Sequence, residues 1–592
     1  MPGSKIAVGR AARALRASRR GERGTLFSKR WALSAPEHAV AIDRDVKIPL
    51  RDGVELDCDV FRPADGGPCP AIVGLHGYSK AKEVTPSFPI AMGAGRNGDV
   101  EAGDPLFYAR RGYAHVIVNA RGTGGSGGVY DYQGPVETED GVETVEWVAR
   151  QPWCDGAVAL AGQSYFAIMA IRVAARRPPS LRAIYSPWGR ASSYRGYYLG
   201  GVLAARFLSH WPHTLANLRY ESQGPRYLGE AEFRERLDRA RDDRDIAQHP
   251  ELAAALRSQD RPAHALIADF LVHPLGSEPF WRDRDADVSQ IEVPTLLGAC
   301  WASYGLHLPG ALSDFTELTA PRRLLVGPPL YLDRPIYQLA YDHLRWFDQH
   351  LKGIDTGVMD EPAVRVFVPG ANRWLADEEW PLRGTRWTPF NLHSNGLLSE
   401  HELFPHEGST SFEHSYNTQG SLTFTTPRLV EETTLVGPAV LELYARCSDV
   451  EVLWFVSLWD VPPDGEPTIL TRGWLRGTLA AVDEERSERW EYRHRFSEPV
   501  PVVPDEVALY RINVGSLSCC FAAGHRIMLK VACSDNEPTR GPHGMGTGRV
   551  TRSEPAWVTV EHNFDHPSCV YLPVVEGNVI GTFMSGGELA GG

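Results

Sequence analysis

The chain has 592 residues, 43% hydrophobic and 23% charged, with a formal net charge of −13 at pH 7. That length is too great for a single core and predicts two or three domains. The acidic balance excludes a general nucleic-acid binder, and no run of about 18 apolar residues is present to span a bilayer.

Residues 1–36 carry nine Lys or Arg against one acid, Glu22. Without an apolar h-region this is no secretory signal. It reads as a basic extension, either a helix docked on the acidic body or a partly disordered arm, with targeting or membrane-surface binding as the alternative. Strands begin near Ala39. Residues 45–50 lead through Arg51-Asp52-Gly53 into 54–61, whose alternation predicts an antiparallel hairpin. Residues 71–75 form a continuous apolar strand that ends at His76-Gly77-Tyr78-Ser79-Lys80. A helix over 104–111, a strand over 115–118 and a helix over 137–150 follow. Continuous apolar strands alternating with helices predict a parallel sheet in an α/β domain, with its active site at the carboxyl ends of the strands.

The organising stretch is 157–174, AVALAGQSYFAIMAIRVA. A short apolar strand breaks at Gly162-Gln163-Ser164-Tyr165 and resumes as a helix, which places Ser164 on a strand-to-helix turn. Such a nucleophile elbow exposes the hydroxyl and backs it with a helix N-terminus that favours developing negative charge. Gly162 fits the tight turn, but the usual second glycine is replaced by Phe166. The glycine-rich loop 119–128 lacks the Lys-Ser/Thr of a phosphate cradle and has no acid placed for a ribose, so it reads as a connection.

Residues 190–285 are helical, charged and aromatic, with helices over 230–241 and 250–257. Strands over 294–300 and 322–326 and an amphipathic helix over 336–352 return to the α/β pattern. Beyond Glu361 helix signals fade and short strands between Pro/Gly turns predict an all-β sandwich. Nine cysteines occur without Cys-x-x-Cys pairs, Cys519 and Cys520 being adjacent. They suit reduced thiols in a cytoplasm better than a disulfide framework or a zinc site.

Five blocks occur in order within 110–165: Arg110-Arg111-Gly112-Tyr113, Arg121-Gly122-Thr123-Gly124-Gly125-Ser126, Glu139-Asp140-Gly141, Gln151-Pro152-Trp153-Cys154-Asp155-Gly156 and Gly162-Gln163-Ser164-Tyr165. With Leu351-Lys352-Gly353, Gly524-His525-Arg526-Ile527 and Ser534-Asp535-Asn536, the chain resembles the cocaine-esterase/X-Pro dipeptidyl-peptidase group of serine hydrolases. The resemblance implies an α/β-hydrolase core (37–189 and 289–358), an inserted helical cap (190–288) and a C-terminal jelly roll (359–592). It implies that Ser164 is the nucleophile. The backbone N–H of Tyr165 and the phenol of Tyr78 would hold the oxyanion, each donor contributing about 3–4 kcal/mol.

The group's aspartate block reads Cys300-Trp301-Ala302-Ser303 here, with Ser303 in the acid's place. Its histidine block reads Gly327-Pro328-Pro329-Leu330-Tyr331, with Tyr331 where histidine belongs. A serine hydroxyl is a poor nucleophile until a base takes its proton. A tyrosine of pKa near 10 is only about one part in a thousand ionised at pH 7. Four readings follow. Another imidazole serves Ser164, with His307 the alternative base and His76, His210 and His213 further candidates. Or Ser164 and Tyr331 support substrate-assisted or non-hydrolytic chemistry. Or the chain binds a ligand without turning it over. Or an acid such as Asp285, Asp287 or Asp333 is recruited. The expected function is a serine hydrolase of degenerate triad, acting on a small-molecule ester or amide or a short peptide. No metal, cofactor, nucleic acid or membrane is expected, and oligomeric state is open to a homodimer or higher assembly.

Overall fold

The apolar runs become the strands of a ten-stranded sheet in the computed structural model, which describes residues 32–78, 80, 101–329, 339–415, 417–535 and 555–577. The strands are β1 (Val40–Pro49), β2 (Glu55–Pro63), β3 (Cys69–His76), β4 (Ala114–Asn119), β5 (Cys154–Ala161), β6 (Leu181–Pro187), β7 (Thr295–Cys300), β8 (Arg322–Gly327), β9 (Val364–Val368) and β10 (Arg373–Asp377). They lie in the order β1-β2-β4-β3-β5-β6-β7-β8-β9-β10. Pairings from β4 to β9 are parallel; β1/β2, β2/β4 and β9/β10 are antiparallel. Helices α1 (Pro105–Ala109), α2 (Pro135–Ala149) and α3 (Tyr165–Ala174) connect the first strands. Buried residues of α2 and α3 share one hydrophobic cluster with the sheet, whereas Tyr108 of α1 packs in another on Ile72, Ala159 and Tyr185. Parallel strands demand cover on both faces, which is why they read as unbroken apolar runs.

The insertion between β6 and β7 is mainly helical, with α4 (Glu230–Asp242), α5 (Pro250–Arg257) and α6 (Pro262–Leu271) as its longest elements. After β7, α7 (Leu308–Glu317) joins the α2/α3 cluster and α8 (Ala340–Lys352) the α1 cluster. The predicted helix 336–352 is observed from Ala340, and its first residues fall in 330–338, outside the described residues. Of the basic extension, 1–31 likewise lie outside them. Ser34 already belongs to the core: its backbone N–H and its hydroxyl each donate to Asp348 of α8 at 2.8 Å.

One division is corrected. The boundary placed at 358/359 cuts the core sheet, because β9 pairs with β8 (Leu324↔Val364) and β10 with β9. Val364, Val366 and Val368 are fully buried in the core cluster. Leaving β8 as the edge would expose its unpaired backbone groups, so the sheet recruits the next two strands. The strands beyond Asp377 form two sheets around a separate core. The longest pair, β11 (Thr433–Cys447) and β12 (Ala508–Phe521), is antiparallel in one sheet; Leu453–Val461 and Thr468–Arg476 pair in the other. None of the nine cysteines forms a disulfide.

Two of the recurrent blocks brace the elbow. Arg121 is bidentate to Asp140, at 2.8 and 2.6 Å, and also donates to Asp52 at 2.7 Å. Next to Asp140, a side chain on Gly141 would meet Val173 of α3 at 2.3 Å, so the glycine permits the close approach of α2 and α3 there. Asp140 is 4% exposed. Removing one partner of such a pair leaves a buried charge uncompensated. Arg121→Met is therefore expected to lower unfolding free energy by about 3 kcal/mol in urea titrations, and Arg121→Met/Asp140→Asn to recover more than half of it. A single variant as stable as the parent would remove this pair from the account of the fold.

Candidate active site

Ser164 stands between β5 and α3 with φ 60° and ψ −111°, in the left-handed region that a non-glycine residue enters at a cost of order 1–3 kcal/mol. The strain is held from both sides. The Ser164 N–H donates to the Pro187 carbonyl at 3.0 Å, and the Gln163 N–H to the Glu101 carbonyl at 2.7 Å. Gly162, at φ 133°, opens the turn. Phe166 replaces the expected second glycine, and the structure supplies the space elsewhere. A Cβ on Gly74 of β3 would lie 2.6 Å from the Phe166 ring, and one on Gly162 would lie 2.4 Å from the Phe166 Cβ. The ring, 1% exposed, stacks on His76 at 4.6 Å. The glycine within the apolar run 71–75 was the signal for this exchange.

Tyr165 begins α3, so the helix itself does not use its N–H, which remains for a ligand. Its phenol has a different task. It is buried, donates to Glu137 Oε1 and lies 2.8 Å from the Tyr130 hydroxyl, pinning α3 to α2. Tyr78 sits at the carboxyl end of β3 with its ring 6.0 Å from that of Tyr165 and edge-on to it. Its N–H donates to His76 Nδ1 at 3.1 Å, and its hydroxyl accepts from Trp211 Nε1 at 3.0 Å. Trp211, a cap residue that sequence reasoning missed, also lies nearly parallel to Tyr165 at 6.4 Å. Lys80, just past Tyr78, bonds to Asp45, Asp57 and Asp59. The structure thus gathers Ser164, Tyr165 and Tyr78 at adjoining strand ends, with the cap's indole on the phenol.

Ser303 lies in the turn Trp301–Ser303 after β7, where its hydroxyl donates to the Cys300 carbonyl at 2.8 Å and closes its own turn. Cys300 is in register with Gly327, so the chain leaving β8 emerges beside that turn. Tyr331 and Asp333 lie outside the described residues. His307 precedes α7 and stacks on Trp188 at 5.1 Å and 7°. Trp188 follows Pro187, the acceptor of the Ser164 N–H, so one short chain of contacts links the elbow to that imidazole. His76 is walled in, and burial drives it down to about 3, so it is a neutral support for Tyr78. His210 is exposed, with Nδ1 2.9 Å from the Arg206 carbonyl. Asp285 accepts from the Ser193 N–H at 3.0 Å, and Asp287 caps the turn Val288–Gln290.

The glycine-rich loop offers no cradle, since the N–H groups of Gly122, Gly124 and Gly127 donate to the carbonyls of Gly127, Ala216 and Glu55. One group with metal-ligand chemistry does exist, where none was expected. His213 and His264 each bring Nε2 to 2.9 Å from the same Glu251 oxygen. It ties the turn Trp211–Thr214 to α5 and α6 and so steadies the indole above Tyr78.

A family model described as X-Pro dipeptidyl-peptidase (S15 family) matches residues 52–329, and one described as the X-Pro dipeptidyl-peptidase C-terminal non-catalytic domain matches 356–570. Cocaine esterase of Rhodococcus sp. is 25% identical over 612 aligned positions, which cover 90% of this chain and 99% of that one. An Xaa-Pro dipeptidyl-peptidase of Lacticaseibacillus rhamnosus is 30% identical over 159 residues, 22% of this chain and 20% of its own. The crystal structure of a CocE/NonD family hydrolase from Staphylococcus aureus superposes with a TM-score of 0.73 at 21% identity, covering 90% of this chain and 93% of that one. That likeness establishes a shared fold.

Burial raises Glu137 to about 7, against an ordinary 4.5. Its contribution to stability is complete below pH 4.5 and is lost as pH rises through 7, because only the folded state favours the protonated acid. The shift corresponds to roughly 3 kcal/mol. Unfolding measured at pH 4.5, 6 and 8 should show a decline that Glu137→Gln makes shallower by that order. An identical decline in both proteins would contradict the assignment.

Proposed function

Because this chain belongs to the X-Pro dipeptidyl-peptidase (S15) family, we propose that it is a serine hydrolase that acts through Ser164 on the acyl carbon of a small ester, an amide or a short peptide. The observation that carries this reading is the strained backbone at Ser164 (φ 60°), which the fold maintains with two hydrogen bonds to neighbouring carbonyls. Strain of that kind persists where function needs the geometry it imposes. In the proposed reaction the Ser164 oxygen bonds to the acyl carbon while its proton leaves to a base. The carbonyl oxygen becomes an oxyanion held by the Tyr165 N–H and the Tyr78 phenol. The C–O or C–N bond then breaks as the base passes its proton to the departing alcohol or amine, and water, losing a proton to the base, takes the acyl group while the Ser164 oxygen regains that proton. Trp211 donates to the phenol oxygen, which fixes its position and polarises its O–H toward the oxyanion.

The triad is degenerate in this proposal. Ser303 carries no charge to orient an imidazole, and its hydroxyl is spent on the Cys300 carbonyl. Tyr331 stands in the histidine's place in the sequence. We assign His307 as the substitute base, on the contacts that lead from it through Trp188 and Pro187 to the elbow. The occupied Ser303 hydroxyl also favours a second reading, in which the chain binds such a ligand without turning it over. Nine cysteines without a disulfide suit a reducing, cytoplasmic setting.

A fluorophosphonate probe should label the protein, and Ser164→Ala should abolish both labelling and ester turnover. An unlabelled, folded parent would favour the binder. In an active parent, Tyr78→Phe should cut kcat by about 10²–10³, as loss of an oxyanion donor does. His307→Gln should also slow turnover, and Ser303→Asp with Tyr331→His should raise it. A folded double variant with unchanged rates would show that those two positions are not the lost triad sites.

A further inference from the structure

A second cavity opens where the cap, the core and the β-sandwich meet, and none of Ser164, Tyr78 and Tyr165 lines it. Arg190 and Arg195 form part of its wall, and Trp380, Trp474, Trp490, Glu491 and Asp314 of α7 are also among its lining. The charge balance there is unusual. A third cation on the wall, Arg472, is paired with Asp535. Arg190 is only 4% exposed, yet among the described residues it makes no ion pair and no hydrogen bond, its Nε has no acceptor, and its guanidinium lies 5.8 Å from the Tyr197 ring. Arg195 is half-buried and likewise without an ion pair or hydrogen bond there, and burial pulls it below the ordinary arginine range. Trp474 adds an indole N–H that is buried with no acceptor.

Asp314 does not repair the balance. Its Oδ2 has no partner, and burial raises its carboxyl to about 8, so at neutral pH it is largely a protonated donor. The other acid on the wall, Glu491, is bonded to Arg493 at 3.3 Å, so among the described residues the wall presents several donors, two of them guanidinium groups with no bonded anion. Buried charge left unpaired costs several kcal/mol, and buried polar groups without partners call for an explanation such as an absent ion or ligand. The chain is also trimmed around one of these cations: a Cβ on Gly196 would sit 2.4 Å from Arg190 Nη2. The planar guanidinium fork matches a carboxylate, and tryptophan walls accept a flat apolar body.

We propose that this cavity binds an organic carboxylate with an aromatic body, the acid group held by Arg190 and Arg195 and the ring against the tryptophans. Its residues take no part in the bond-making and bond-breaking proposed at Ser164. Its occupant is either the acid-bearing end of a substrate or a separate carboxylate ligand, and one set of measurements distinguishes the two.

The test is titration of the full chain, by tryptophan fluorescence and calorimetry, with phenylacetate, its neutral isostere phenylacetamide, and inorganic phosphate. Phenylacetate should bind saturably, and the amide at least about tenfold more weakly, a typical margin for losing one charged contact. Phosphate should not displace it. Arg195→Gln and Arg190→Gln should each erase the preference for the acid while leaving amide binding unchanged. If Arg190→Gln does not fold, Arg195→Gln alone decides. Ser164→Ala should bind phenylacetate as the parent does, which keeps this result separate from any failure of the hydrolase reading. Competitive inhibition of neutral-ester hydrolysis by phenylacetate would place a substrate's acid group here, and non-competitive inhibition or none a separate ligand. Equal affinity for acid and amide, absence of saturable binding up to about 10 mM, or an unchanged acid preference in folded Arg195→Gln would each overturn the proposal.

Discussion

The molecule is arranged around a backbone that one residue would not adopt on its own. Ser164 is held at a positive φ by the carbonyl of Pro187, at the end of the neighbouring strand β6, and by the fit of Phe166 against Gly74 and Gly162. The parallel sheet makes this possible. It lines up the carboxyl ends of β3, β5, β6 and β7, so that residues far apart in sequence meet around one turn. Lose the flat contact of Phe166 on β3, and the strained serine is left to the hydrogen bonds from its own N–H and that of Gln163 alone.

In the proposed mechanism the cap is more than a roof. The phenol of Tyr78 belongs to the core, but the indole that fixes its oxygen comes from a residue 133 positions later. That indole is in turn steadied by His213, Glu251 and His264, from three segments of the insertion. A cap that swings would carry the phenol's partner away, so the position of the Tyr78 hydroxyl is mechanically coupled to that of the cap.

What the sequence disclosed follows from range. The elbow was legible because strand, glycine, serine and apolar helix are consecutive, and each signal is local. The role of Gly74 was not, since a glycine in a strand says only that something approaches, not that the visitor is Phe166. Trp211 was hidden for the same reason, although its flanking histidines attracted notice. The division at 358/359 failed because β9 and β10 alternate as sandwich strands do, and strand pattern does not reveal which sheet a strand joins. Ser303 was identified by position alone, and only the structure gave its hydroxyl an occupation.

The recruitment of β9 and β10 into the core sheet bears on how the protein can be divided. A fragment ending near residue 358 would carry a raw parallel edge on β8, and one starting there would drag two strands whose valines are shaped for another body. Both pieces would tend to stick to themselves or to each other. The natural seam for separating the halves is the segment after Asp377, where the chain leaves the first sheet and has not yet entered the next.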